Sequence, residues 1–184
     1  IPLIPLIKKN LINIKDITID SKSGFSGAGK NLENKFTHKN LYSSTFAYST
    51  KKHRHICEID QEFRKIKKKK INYSFNPHLL PTFRGILSSI YVCTKGKTSG
   101  ETLRKSLLKF YKKDKFIKIM KFNSPLGSGN VLNTNNCEIS ICETRIKKKY
   151  IIFSALDNLI KGASGQAVQN MNVAFNLKES LGLT

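Results

Sequence analysis

Six short β-branched runs, separated by four stretches with helical apolar spacing, limit this chain to a fold that lays helices on a sheet. Residues 16–20, 71–75, 85–94, 116–122, 137–142 and 150–153 have the isoleucine, valine, threonine and tyrosine character of strands. Residues 1–12, 58–69, 99–111 and 157–175 read as helices, the first despite Pro2 and Pro5. Ile59, Phe63 and Ile66 recur on one face of the second, and Leu103, Leu107 and Phe110 on one face of the third. The fourth is built differently, because Gly162, Ala163, Gly165 and Ala167 leave one side nearly bare. Glycine costs about 1 kcal/mol inside a helix, so close packing against a neighbour or ligand is expected to compensate. Pro77 and Pro81 mark a loop around His78, and residues 127–136 form a glycine- and asparagine-rich loop between strands.

With 184 residues, 39% of them hydrophobic, the chain suits one domain with a sizeable core. No apolar run is long enough to span a bilayer, and residues 1–7 lack the basic segment and small-residue cleavage site of a signal peptide. Cys57, Cys93, Cys137 and Cys142 form no CxxC pair and read as reduced thiols in a cytoplasmic protein. His53, His55 and Cys57 alternate, but no second ligand pair accompanies them, so no metal is expected. The net charge of +21 raises a nucleic-acid-binding module as a competing reading. Against it, only five of 33 basic residues are arginine (54, 64, 84, 104 and 145), and the lysines lie in separate runs such as 67–70 and 147–149. Nucleic-acid readers favour arginine and stacking aromatics, so the runs are taken as solvated surface and no nucleic-acid partner is expected.

Two stretches carry chemistry: His53-Arg54-His55-Ile56-Cys57-Glu58-Ile59 and Pro77-His78-Leu79-Leu80-Pro81-Thr82-Phe83-Arg84-Gly85-Ile86-Leu87. Imidazole suits proton transfer near neutral pH, and two imidazoles one residue apart, with Glu58 a helical turn from His55, look like a site. The competing reading is that both histidines merely cap and anchor the following helix. Arg84 offers a planar fork for a carboxylate or phosphate, or else makes a surface salt bridge. His78 reads as structural and His38 as exposed. Gly24, Gly29 and Lys30 fit GxxxxGK, but Asn31 stands where magnesium binding needs serine or threonine, so that match is accidental.

Both stretches, with SKSGFSGAGK at 21–30, Ala47-Tyr48 and SALDNLIKGASGQAVQNMN at 154–172, closely resemble N-acetyl-gamma-glutamyl-phosphate reductase, over essentially all 184 residues but only the later part of that family's chain. The resemblance implies an α/β catalytic domain like those of glyceraldehyde-phosphate and aspartate-semialdehyde dehydrogenases, with a mostly antiparallel sheet covered on one face by helices. It implies residues 1–12 as the end of the helix after a cysteine turn, 13–153 as a catalytic and dimerisation domain, and 154–184 as a C-terminal helix returning to an NADP-binding domain. That reaction reduces an acyl phosphate with NADPH through a thioester. None of the four cysteines has the context of the family's nucleophile, so this chain is expected to be a fragment, inactive alone and homo-oligomeric in the whole enzyme. The resemblance makes His53 and His55 the acid/base candidates, assisted by Glu58. It places Ser23 and Arg84 on substrate, and Gly24, Ser26, Gly27 and Asn158 on cofactor. Cys57 stands where the family has proline. Within the enzyme class, the competing reading is a related reductase of lysine biosynthesis, whose substrate is one methylene longer.

Overall fold

In the computed structural model, which describes residues 1–29, 40 and 42–184, seven strands form one sheet. They are β1 Ile17–Gly24, β2 Phe46–Ala47, β3 Tyr73–Leu80, β4 Ile86–Cys93, β5 Ile117–Ile119, β6 Cys137–Glu143 and β7 Lys149–Leu156. Their order is β2-β3-β1-β4-β7-β6-β5. Four of the pairings are antiparallel, and β1–β3 and β5–β6 are parallel. Among the described residues the α-helices are α1 Leu3–Lys8, α2 Ile56–Ile66, α3 Gly100–Phe110 and α4 Gly165–Ala174. The mostly antiparallel sheet with helices matches the fold expected from sequence.

Side chains alternate across a strand, and here the alternation sorts the core. Ile17 and Ile19 of β1, Ile90 and Val92 of β4, and Ile152 of β7 join one buried cluster with Leu6 and Ile7 of α1, Phe63 of α2, and Leu103 and Leu107 of α3. Burying each such side chain fully stabilises the fold by roughly 1.5–3 kcal/mol. Of the residues of opposite parity, Leu87, Tyr91, Ile151 and Phe153 are only partly buried, while Ser89 and Ala155 are buried.

Several boundaries differ from expectation. The segment read as a loop from residue 21 is still β1 as far as Gly24, because Ser21, Lys22 and Ser23 stay in ladders with both β3 and β4. His78 lies within β3, not in a loop. Pro77 is tolerated there because its carbonyl, accepting from Tyr48 N–H at 3.1 Å, faces the side where β2 has only two residues. Phe110, expected inward, is 42% exposed at the end of α3, with its ring edge-on to Tyr111 at 4.9 Å, and Ser106 takes the buried position instead. Helix α2 stops at Ile66, where Lys67 turns extended (φ −147°, ψ 126°) to lead into β3.

The glycine-rich terminal segment is not one helix. Residues 158–159 form a turn, Ile160–Ser164 is wound as a π-helix, and α4 follows. At Gly165 an added Cβ would stand 2.5 Å from both Asn135 Oδ1 and Ile160 Cγ2, so this glycine is needed for close packing within the domain itself. His38, Lys30 and Asn31 lie outside the described residues.

Candidate active site

The site builds up from the ends of β1, β3, β4 and β7. After Gly24 the chain makes one 3₁₀ turn, Phe25–Ala28, stitched to the turn before β4. Gly24, Phe25 and Ser26 donate their N–H groups to the carbonyls of Gly85, Thr82 and Phe83 at 2.8, 2.9 and 3.1 Å. The two segments lie so close that a Cβ on Gly24 would meet Arg84 N at 2.5 Å, which is why glycine is required there.

The dipeptide Asp157-Asn158, just beyond β7, ties this arrangement together. Asn158 Oδ1 accepts from Gly85 N–H at 2.6 Å, and its Nδ2 donates to Ser26 Oγ at 2.8 Å. Asp157, whose side chain is 0% exposed, accepts from the N–H groups of Asn133, Leu159 and Ile160 at 2.7, 2.8 and 3.1 Å, and from Arg84 Nε at 2.9 Å. Burial alone would raise the pKa of Asp157. The three backbone amides and the Arg84 guanidinium outweigh burial and hold it below the usual value. Arg84 also donates from Nη1 to Asn133 Oδ1 at 2.5 Å, which leaves both N–H groups of Nη2 and the second N–H of Nη1 as further donors.

Thus six of the residues singled out by sequence, Ser23, Gly24, Ser26, Gly27, Arg84 and Asn158, meet at one end of the sheet. A Cβ on Gly27 would fall 2.9 Å from Ser23 Oγ and 3.5 Å from Asn158 Nδ2. Gly27 is exposed and offers bare backbone to a ligand, whereas Gly24 and Asn158 are buried behind it.

The histidine pair lies along β3, with the two imidazole rings 4.9 Å apart. His55 occupies the N-cap position of α2 without a side-chain capping bond, which removes the capping account of that residue. Its backbone N–H donates to His53 Nδ1 at 3.2 Å. The His53 ring packs 5.1 Å from Phe75 and 5.6 Å from Tyr48. Tyr48, in turn, belongs with Phe25 and Phe46 to a small apolar cluster around Leu79, which links the His53 ring to the 3₁₀ turn through Tyr48. Burial lowers the pKa of His53, helped by the neighbouring His55 and Arg54, with Glu58 opposing. Glu58 is exposed in the first turn of α2 and makes no hydrogen bond to either imidazole among the described contacts.

Sequence reasoning missed a row of serines. Ser21, Ser88 and Ser154 are successive cross-strand partners on β1, β4 and β7, with Ser21 Oγ and Ser88 Oγ 2.7 Å apart. They floor a cleft of about 390 Å³ that Glu58, Glu62 and Phe75 also line. Period-two alternation marks these positions as core-facing, and a hydroxyl in each is the one available signal. The roles of Asp157 and Asn133 were missed as well, because they appear only when Arg84 is seen. Among the described residues no group of three or more histidine, cysteine, aspartate or glutamate side chains could hold a metal ion. All four cysteines are free thiols, and burial raises the pKa of Cys137.

This mixed sheet, with its helices, has the architecture of a semialdehyde-dehydrogenase-type domain. Residues 1–158 match the family model described as semialdehyde dehydrogenase, dimerisation domain, and the chain belongs to that family. Among curated relatives, the whole chain is 43% identical to N-acetyl-gamma-glutamyl-phosphate reductase of Afipia carboxidovorans, covering 52% of it. It is 41% identical to the enzyme of that name from Clostridium kluyveri and 38% identical to the probable chloroplastic one of Arabidopsis thaliana, covering 54% and 46% of them. The chain thus spans about half the length of the curated relatives it matches. Aspartate semialdehyde dehydrogenases from Francisella tularensis (TM-score 0.69, 14% identity, 94% of this chain and 60% of that one) and Vibrio cholerae (0.66, 16%, 94% and 59%) share the fold. No described helix is long and apolar enough to cross a membrane.

Proposed function

We propose that this domain is the catalytic and dimerisation half of an NADPH-dependent N-acetyl-gamma-glutamyl-phosphate reductase of arginine biosynthesis. In this reading it acts together with a nucleotide-binding domain that also carries the nucleophilic cysteine. The observation that carries the reading is the convergence of the Ser23–Gly27 turn, Arg84 and Asn158 at one end of the sheet, with the His53 ring packed along β3 on Phe75 and Tyr48, in a chain 38–43% identical to reductases of that name.

Bound NADPH supplies hydride to the acyl carbon. This chain's own residues bind, orient and move the proton. Arg84, held by Asp157 and Asn133, offers its remaining N–H groups to an anionic group of the substrate. His53 has its Nδ1 occupied by the backbone N–H of His55, and burial favours its neutral form, leaving Nε2 to exchange a proton with the substrate oxygen. His55, exposed at the start of α2, is the second candidate for that proton. Four unpaired thiols fit a reducing compartment, the cytoplasm, although the name of the plant relative places that protein in the chloroplast.

The test joins a related nucleotide domain with its cysteine turn to this chain and measures NADPH oxidation dependent on N-acetyl-gamma-glutamyl phosphate. His53→Ala or His55→Ala is expected to lower turnover about 10²–10⁴-fold while the melting temperature barely moves. Near-normal turnover in both variants, or activity lost only in step with unfolding, would leave the pair a structural feature. Preference for the analogue one methylene longer would move the assignment to lysine biosynthesis.

A further inference from the structure

Lysine runs that are separate in sequence meet in the fold. Four connections close the end of the sheet opposite the candidate site: residues 8–15, 67–72, 94–98 and 145–148. Backbone hydrogen bonds lace them together, with Asn72 N–H donating to Ile14 O (2.8 Å), Lys95 N–H to Leu11 O (3.0 Å) and Thr94 N–H to Lys148 O (2.9 Å). These connections hold twelve lysines and arginines and no carboxylate. They are an eighth of the chain with more than a third of its basic residues. Ten of the twelve are exposed, and none of them forms an ion pair among the described residues. Beside them Arg64 and Lys67–Lys70 line a cavity of about 320 Å³, whose one carboxylate, Asp60, accepts from the Tyr73 hydroxyl.

Two ammonium groups converge most closely. Lys67 Nζ and Lys95 Nζ donate to the same neutral oxygen, Asn10 Oδ1, at 3.1 and 2.8 Å. Like charges held against one amide oxygen repel, and a phosphate oxygen at this position would relieve that repulsion. We infer that this end of the domain docks the phosphate backbone of duplex nucleic acid, without reading its bases. No large apolar or aromatic side chain other than Ile146 stands exposed on the four connections, so there is no platform for stacking single-stranded bases. Lysine point charges suit phosphates, while the arginine forks that read guanine are nearly missing. β1 runs from this surface at Ile17 to the site at Gly24, so a bound duplex leaves the candidate active site open.

The test is fluorescence anisotropy of a labelled, random-sequence DNA duplex against the full chain at several salt concentrations. Five or six phosphate contacts give a slope of log affinity on log salt of about −5. Replacing Lys67, Lys68, Lys69 and Lys70 with glutamine is expected to make that slope shallower by about 3 and to weaken binding at least about tenfold. Replacing Lys112, Lys113, Lys115 and Lys178, exposed toward the opposite end near the start of β5, removes the same charge and is expected to leave the slope in place. Should the first variant fail to fold by circular dichroism, Lys8, Lys9, Lys95 and Lys97 changed to glutamine supply the same reading. Absence of binding at low salt, equal loss in both sets, or competition by polyglutamate as effective as by DNA would each overturn the proposal.

Discussion

Asp157 shows how much rests on one buried carboxylate. Its four donors come from Asn133, from the first turn of the terminal segment, and from Arg84, so it fixes a site residue and a chain reversal together. Asp157→Asn keeps the volume but removes the charge and an acceptor, and is expected to destabilise the domain by about 3 kcal/mol in urea unfolding. The pH dependence has a definite sign. The folded pKa lies below the unfolded value of about 3.9, so the stabilisation is fully present above that value and is lost as pH falls through the folded pKa. The wild type should therefore lose stability on acidification below about pH 4 more steeply than Asp157→Asn. Equal acid limbs in the two proteins would assign the ion pair no weight. Arg84 was legible in sequence as an anion-binding side chain. Its partners were not, because Asn133 and Asp157 are 49 and 73 positions away and only the tertiary fold sets them against it.

Local periodicity made the element types legible. β4 and α3 lie within a residue of their expected limits, and Ser99 caps α3 by accepting from Thr102 N–H at 3.2 Å. What periodicity could not give was strand length where ladders continue through polar residues. Ser21, Lys22 and Ser23 look like loop residues in sequence, yet neighbours on both sides hold them in β1. β2 was missed because two residues carry no period. The bare side of the last segment was legible as a packing requirement, and the structure assigns that requirement to one glycine. Gly165→Ala drives a Cβ into the buried Asn135, which Gln169 holds through a 2.9 Å bond, and is expected to cost about 1–3 kcal/mol. Gly162→Ala meets nothing closer than 3.5 Å and should be neutral or stabilising by up to about 1 kcal/mol. Thermal melts of the two variants separate the cases, and equal melting temperatures would contradict the packing account.

At the scale of the molecule, the two faces of the sheet differ in a way that bears on assembly. One face supplies the core with α1, α2 and α3, while the other presents Leu87, Tyr91, Ile151 and Phe153 partly exposed. Tyr91 and Ile151 are directly paired across β4 and β7, at the middle of the seven strands. The matching family model is named for dimerisation, and an apolar sheet face can pack on its own copy about 10 Å away. A second copy of this chain is therefore the proposed occupant. Sedimentation of the wild type is expected to give a dimer at micromolar concentration. Tyr91→Glu with Ile151→Glu places four carboxylates in a two-fold interface and should give a monomer whose far-ultraviolet circular dichroism is unchanged, because neither side chain enters the helix-covered core. A dimer that survives the double substitution would move the interface to another surface. Loss of secondary structure in the variant would show instead that these residues belong to the fold rather than to its assembly.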